Sequence, residues 1–436
     1  MDAEFFQPKF IRFDALMREG GQSLVDLFID IIQPAEFIRK YVLQGEGAIF
    51  WRAQNIKRGY VDTENVEWID WATFRRVPQS HVKEGDVLIT RTGANAGDCA
   101  VTPPGTQNVA VSSHTLRLVP KDIELGFAVG AFFASDYGHE VLLRAVSGSS
   151  RPQITKDALE TTMLPDFSSI KSEVARLIRA HYRKREQAIA LYKQAESLLL
   201  AELGLDDLDL SHQLTYTLNF SQVWAAGRLD AEYFQPKYYT LLDRLWETGQ
   251  AVRLGDWLRE PISRGVQPEY NEDGTIIVIN SQHVGKTCIE LEDNRRTTRE
   301  FAEQNERAVV RPHDVLLNST GYITIGRCQT LLDDVPAIVD GHISIIRPKP
   351  GLDPVYLGLF LNSPAGQMQT ERSWTGSSGQ IELRKELIEN YTVWKPDEAL
   401  QQRIRNLIED AHKARLEAKR LLEEAKQRVE AMILGE

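Results

Sequence analysis

The chain has 436 residues, 42% of them hydrophobic and 26% charged, with a formal net charge of −11. That is enough for two cored domains of about 150 residues each plus long helices, and no run approaches the ~20 apolar residues of a membrane span. The acidic balance excludes a simple basic nucleic-acid coat protein but leaves room for local basic loops, and three cysteines without CxxC spacing (Cys99, Cys288, Cys328) exclude a disulfide framework or a zinc site.

Those cysteines are expected to be buried or incidental thiols. The first ten residues, MDAEFFQPKF, have acidic residues and Pro where a signal peptide needs a basic start and an apolar run, which predicts a cytoplasmic protein. Residues 1 to about 20 read as a short amphipathic helix, and Ser23 to Leu43 mixes apolar runs with a break at Pro34. From Ala48 the texture changes to short strands and turns, with Gly59 at one turn and Trp68 and Trp71 in the next segment. The apolar run Asp86 to Thr90 predicts a strand that opens into a glycine-punctuated turn, Thr92-Gly93-Ala94-Asn95-Ala96-Gly97. Strands are expected near Cys99 to Thr102 and Thr115 to Val119, then a helix over Phe127 to Ala145 and a polar loop, SGSSRPQIT.

Ser168 to Leu203 contains neither Pro nor Gly, and its apolar residues Val174, Leu177, Ile178, Ala188, Leu191, Ala195 and Leu198 recur at helical spacing. This predicts a helix roughly 50 Å long at about 1.5 Å per residue. An acidic linker follows near 204 to 228. The order then repeats: a strand over Ile276 to Asn280, a turn at Gly285, a strand over Val315 to Leu317 with its glycine turn, a strand over Ile343 to Arg347, a helix near Pro354 to Gln369 and the loop TGSSGQI. The chain ends in a second long helix, about Glu398 to Ile433. Its Ile404, Ile408, Ala411, Arg415, Ala418, Leu422, Ala425, Val429 and Met432 step by fours and threes as a heptad seam broken by one Arg. Neither long helix is apolar all round, so each needs a partner for a narrow stripe, and the economical partner is the other.

The repetition is literal. Asp2-Ala-Glu-Phe-Phe-Gln-Pro-Lys-Phe10 returns as Asp230-Ala-Glu-Tyr-Phe-Gln-Pro-Lys-Tyr238, an offset of 230 − 2 = 228. The same offset relates Asp86-Val-Leu-Ile to Asp314-Val-Leu-Leu, Thr92-Gly93 to Thr320-Gly321, His114 to His342 and Gly148-Ser149-Ser150 to Gly376-Ser377-Ser378. The chain is therefore two copies of one unit, each a globular part followed by a long helix.

The glycine turns follow strands, as phosphate-binding loops do, but lack GxxxxGK[ST] and GxGxxG, so they read as tight turns needing positive φ. His114 and His342 lack a nearby ligand or triad partner in sequence and read as hydrogen-bonded structural residues. HExxH, GxSxG and methyltransferase-like NPPY or DPPY tetrapeptides are absent, so the chain does not read as an enzyme on its own. Polar and basic loops remain as candidates for DNA contact, because Arg, Lys, Asn and Gln pair with base edges and Arg and Lys hold phosphates. In the first copy these are Arg52, Gln54, Asn55, Lys57, Arg58, Arg91, Ser149 and Arg151. In the second they are Asn280, Gln282, His283, Lys286, Ser319, Tyr322, Ser377 and Gln380.

The doubled Asp-Ala-Glu segment, the Asp-Val-Leu strand running into Thr-Gly, the Gly-Ser-Ser and Gln-Ile loop, and Pro396 to Ile404 (PDEALQQRI) together resemble the specificity subunit of type I restriction-modification systems. The likeness covers nearly the whole chain. It implies an α+β protein with an internal pseudo-two-fold repeat: two mixed α/β target-recognition domains (1–167 and 229–396), a linker (204–228), and two spacer helices (168–203 and 397–436) forming an antiparallel coiled coil. It also implies a non-catalytic subunit in which each domain reads one half of a bipartite, asymmetric site on double-stranded DNA. The helices would dock two methyltransferase subunits, which carry S-adenosylmethionine, and a translocating endonuclease subunit would join them. The chain itself would hold no cofactor and no metal. Two other readings compete: a coiled-coil scaffold whose domains bind proteins, and a nuclease or transferase marked by a carboxylate cluster in one pocket.

Overall fold

The computed structural model describes residues 21–147, 152–292, 294–376 and 381–435. The helix expected over residues 1 to 20, and with it the first Asp-Ala-Glu segment, lies outside the described residues. The chain forms two compact units, Met1–Gln187 with Ala414–Glu436, and Ala188–Lys413.

In the first unit, four strands form an antiparallel sheet in the order Phe28–Ile32, Thr115–Pro120, Val87–Thr90, Cys99–Val101. A second sheet places Ala48–Trp51 between Glu67–Ile69, antiparallel, and Val109–Val111, parallel. The run Val87-Leu88-Ile89 is apolar at every position because both of its faces are covered. Val87 and Ile89 join the cluster of Phe127, Phe132 and Phe133, whereas Leu88 joins Trp51, Val109 and Val111. Each such side chain contributes about 1.5–3 kcal/mol of burial.

The second unit repeats this plan. Its four-stranded sheet runs Ser263–Arg264, Ile343–Ile346, Val315–Asn318, Cys328–Thr330, and its three-stranded sheet runs Arg296–Thr297, Ile276–Ile279, Ala337–Val339. Val315 and Leu317 face the helical side and Leu316 the other sheet, as their counterparts do. Where the strand Val87–Thr90 begins, Asp86 meets Arg117 of the neighbouring strand at 2.7 Å, and Asp314 meets Arg347 at the equivalent place at 2.7 Å, both pairs buried. Burial pushes the Asp86 carboxyl up, against the pull of Arg117.

The single helix expected over Phe127 to Ala145 is two, Ile123–Ala134 and Asp136–Arg144. Ser135 causes the break: in extended conformation, it ends the first helix through its N–H and caps the second by accepting from the Gly138 N–H at 3.3 Å. The same break falls at Ser363 between Pro354–Asn362 and Pro364–Ser373, where Pro364 starts the second helix.

The two long helices are continuous, Lys171–Leu203 and Glu398–Leu434. In the first unit Val174, Leu177, Ile178 and Tyr182 pack in one cluster with Leu421, Leu422, Ala425 and Val429. There Glu173 pairs with Arg428 at 3.2 Å and His181 Nδ1 meets the Ala418 carbonyl at 2.7 Å, so residue numbers fall on one helix as they rise on the other, the antiparallel sense. In the second unit Tyr192, Ala195, Leu199 and Leu203 share a cluster with Leu400, Ile404, Ile408 and Ala411. Leu191 and Leu198 are half-buried rather than central to the stripe; Leu199 and Leu203 are buried in it. The Arg that breaks the heptad seam, Arg415, lies 3.7 Å from Glu64.

Candidate nucleic-acid interface

Three segments meet at one end of the four-stranded sheet in the first unit. The strand Val87–Thr90 runs into the glycine turn, where Gly93 has φ 97°, a conformation only glycine adopts cheaply. Arg91 N–H donates to the His114 carbonyl at 2.8 Å, and the Ser112 N–H donates to the Trp51 carbonyl at 3.0 Å. Thr90 Oγ1 donates to the Ala53 carbonyl at 3.5 Å, and Ile154 N–H to the Arg91 carbonyl at 2.9 Å. The glycine turn, the turn before His114 and the loop after Trp51 are thereby tied together.

The second unit makes the same ties 228 residues later. Ser319 N–H donates to the His342 carbonyl at 2.8 Å, Asp340 N–H to the Ile279 carbonyl at 3.0 Å, and Asn318 Nδ2 to the Ser281 carbonyl at 2.7 Å. Gly321 has φ 91°.

The loop after the strand Ala48–Trp51 is pinned from within. Asn55 is buried: its Oδ1 accepts from the Arg52 N–H at 2.9 Å, and its Nδ2 donates to the carbonyls of Asp62 and Asn65 at 3.2 and 2.9 Å. His283 does the first of these jobs in the second unit, its Nδ1 accepting from the Asn280 N–H at 3.1 Å. Burial pulls the His283 imidazole below its usual range, which keeps that nitrogen an acceptor. In both loops the residue before the pin, Gln54 or Gln282, is exposed.

The sixteen sequence candidates therefore separate by burial and hydrogen bonding. Asn55 is a turn anchor with its amide fully engaged, not a presented base reader. Ser319 is buried and exchanges hydrogen bonds with Ser344 Oγ and the His342 carbonyl, so it too is removed from any ligand. Arg58 turns away: its guanidinium donates to the Ala134 carbonyl at 2.8 Å and meets Asp136 at 2.5 Å, closing the end of a helix. Lys286 is exposed, and its carbonyl receives Tyr192 Oη at 2.9 Å and Gln329 Nε2 at 2.5 Å. Arg52 is half-exposed beside Glu67 at 3.1 Å, Arg91 is half-buried on Gln153 at 3.0 Å, and Asn280 Oδ1 accepts from the Gln282 N–H at 2.9 Å. Lys57 is half-exposed on the short hairpin beside Gly59, whose φ of 99° favours glycine and where a Cβ would press on the Leu422 side chain. Tyr322 projects from the glycine turn, 72% exposed, with Ile323 beside it at 81%. Ser149, Arg151, Ser377 and Gln380 lie outside the described residues.

Two features escaped the reading of the sequence. Thr92 Oγ1 meets His114 Nδ1 at 2.8 Å, and Thr320 Oγ1 meets His342 Nδ1 in the same way, with both imidazoles exposed. The partners are 22 residues apart, too far for any local motif to reveal them, although the 228 offset carries both members of the pair. Tyr182 and Tyr192 on the central helix hold the hairpin of their own unit. Tyr182 Oη donates to the Val101 carbonyl at 2.6 Å and accepts from the Val61 N–H at 3.2 Å. Among the described residues no cluster of His, Cys, Asp and Glu could hold a metal ion, and no helix is long and apolar enough to cross a membrane.

Neither a protein-family model nor a curated protein matches the chain. Among solved structures it is similar to the S subunit of a type I restriction-modification system from M. genitalium, at 11% identity and a TM-score of 0.42 over 95% of this chain and 94% of that one. It is similar as well to the HsdS subunit from Thermoanaerobacter tengcongensis, at 15% identity and a TM-score of 0.28 over 95% of both chains. A third similar chain comes from a study of complex assembly and conformational transition in a type I R-M system, at 14% identity and a TM-score of 0.28 over 95% of both.

Proposed function

We propose that the chain is a sequence-specific DNA-recognition subunit of a type I restriction-modification complex, each unit reading one half of a bipartite, asymmetric site. The observation that carries this is one scaffold presenting two sets of tips. The glycine turn, the His turn and the pinned loop recur, joined by two matching backbone hydrogen bonds and by side-chain ties at equivalent positions, while exposed positions at equal offset differ: Ala94 and Asn95 against Tyr322 and Ile323. A conserved frame with different presented side chains is what reading two different half-sites on one duplex requires.

In this reading the paired long helices set the distance between half-sites and offer their outer faces to two methyltransferase subunits, with an endonuclease subunit completing the complex. S-adenosylmethionine would be held by the methyltransferase partners, and the chemistry would be theirs. This chain's part is positioning, which agrees with a site built from hydrogen-bonding tips and turn anchors rather than from a nucleophile and base. The test is to co-express the chain with its methyltransferase subunit and map modified bases in host DNA. The reading expects one asymmetric motif in two parts separated by an unread gap; modification without a motif, or a single continuous motif, would overturn it.

A further inference from the structure

We infer that His114 and His342 are phosphate-contacting residues, each oriented by its threonine so that imidazole Nε2 donates to a phosphodiester oxygen of the bound duplex. The inference rests on the DNA-recognition reading above and adds a division of labour to it. His114 and His342 are exposed, occupy equivalent positions, and have the same partner, the first residue of the Thr-Gly turn. With Nδ1 engaged, Nε2 is the ring nitrogen left to address a ligand. A threonine hydroxyl both donates and accepts, so it supports either tautomer. An anionic oxygen opposite Nε2 selects the form in which Nε2 carries the proton and Thr donates to Nδ1.

The choice of phosphate over base follows from the repeat. If the two units read different half-sites, a residue and partner kept identical in both address what the half-sites share, which is the sugar-phosphate backbone. The equivalent positions that differ, Ala94 against Tyr322 and Asn95 against Ile323, are the ones free to read bases. Both histidines are also tied by their carbonyls to the N–H of the residue before the threonine, Arg91 or Ser319, so backbone and ring are both bonded to the same turn. In the second unit the His342 N–H additionally donates to Asp340 Oδ1 at 2.9 Å, whereas the first unit has Ser112 at that position. The shared part of the arrangement is therefore the Thr–His pair itself.

The experiment measures binding of the full chain, complexed with its methyltransferase subunits, to duplexes carrying its mapped site, the same site with one half scrambled, and an unrelated sequence. His114→Ala and His342→Ala should each weaken binding to all three duplexes by a similar factor, about three- to tenfold for one lost hydrogen bond, and leave the preference among them unchanged. Gln places an N–H near the Nε2 position, so His114→Gln and His342→Gln should recover most of the loss. Thr92→Val and Thr320→Val, which keep shape and remove the orienting hydroxyl, should reproduce the uniform loss in part. A loss confined to one half-site would make the histidine a base reader and overturn the inference. So would unchanged affinity in Ala variants with native thermal unfolding, and so, where the Ala variants fail to fold, would Thr92→Val and Thr320→Val variants that bind all three duplexes as the wild type does. If the wild-type complex itself shows no preference among the duplexes, the DNA-recognition reading fails, an outcome separate from failure of the histidine assignment.

Discussion

Asn55 and Gln54 stand side by side in a loop whose residue types all suit base recognition, but Asn55 is buried with its amide engaged and Gln54 is exposed. Asn55→Ala removes the acceptor of one backbone N–H and the donor to two carbonyls at a buried position, and should cost the first unit about 1–3 kcal/mol. Gln54→Ala alters an exposed side chain and should leave stability within about 0.5 kcal/mol while relaxing the base preference at one half-site. Urea unfolding and mapped modification sites for the two variants check this; a stability loss in the Gln54 variant and none in the Asn55 variant would contradict it. On the proposed DNA-recognition reading, Tyr322→Ala should in the same way alter only the half-site assigned to the second unit. Residue type made Asn55, Ser319 and Arg58 candidates, but burial and the neighbouring Asp62, Ser344 and Ala134 decide what those polar groups do. Ser344 comes from a neighbouring strand, Ala134 from a helix end and Asp62 from beyond the hairpin, and a single sequence does not show these approaches.

Both long helices were legible as elements because neither contains a breaker and each carries a periodic stripe, and their observed limits differ from expectation by only a few residues. The helix pairs divided at Ser135 and Ser363 were read as single helices: Ser135 breaks its helix by a side-chain cap that residue type alone does not show, and Ser363 by an extended backbone ahead of Pro364, the one signal of a break present in the sequence. His181 carries a prediction at this scale. Its ring is buried in the helix pair, with Nδ1 on the Ala418 carbonyl, and burial lowers its pKa to about 4. In the unfolded chain the pKa is about 6.5, so between those values the unfolded state binds a proton that the folded state does not. The stability this residue supports is complete above about pH 6.5. It falls as pH drops toward 4, by about 3 kcal/mol in all. Urea unfolding of the first unit's transition from pH 8 to 4 should show that decline in the native chain and lack this component in His181→Leu. Equal slopes in both proteins would contradict the assignment.

The internal repeat was the most legible feature of the whole molecule, because identical residues at one offset need no knowledge of the fold. The division into compact units was less so. It falls inside both long helices, after Gln187 and after Lys413, where an unbroken helical sequence carries no boundary signal. Each unit therefore pairs part of one long helix with part of the other, and a change of length in one helix alone would slip their pairing. If the helices are the spacer between half-sites, matched insertions at the two boundaries are the clean way to lengthen it. Four residues added after Gln187 and four after Lys413 extend each helix by about 6 Å and turn it by roughly 40° beyond a full turn. On B-DNA that matches one or two base pairs, at about 3.4 Å and roughly 35° each. The direct measurement is the map of modified bases for this doubly extended chain, co-expressed with the methyltransferase subunit proposed as its partner. The account predicts the same two half-sites separated by a gap one or two base pairs longer; the same half-sites at the original spacing would contradict it.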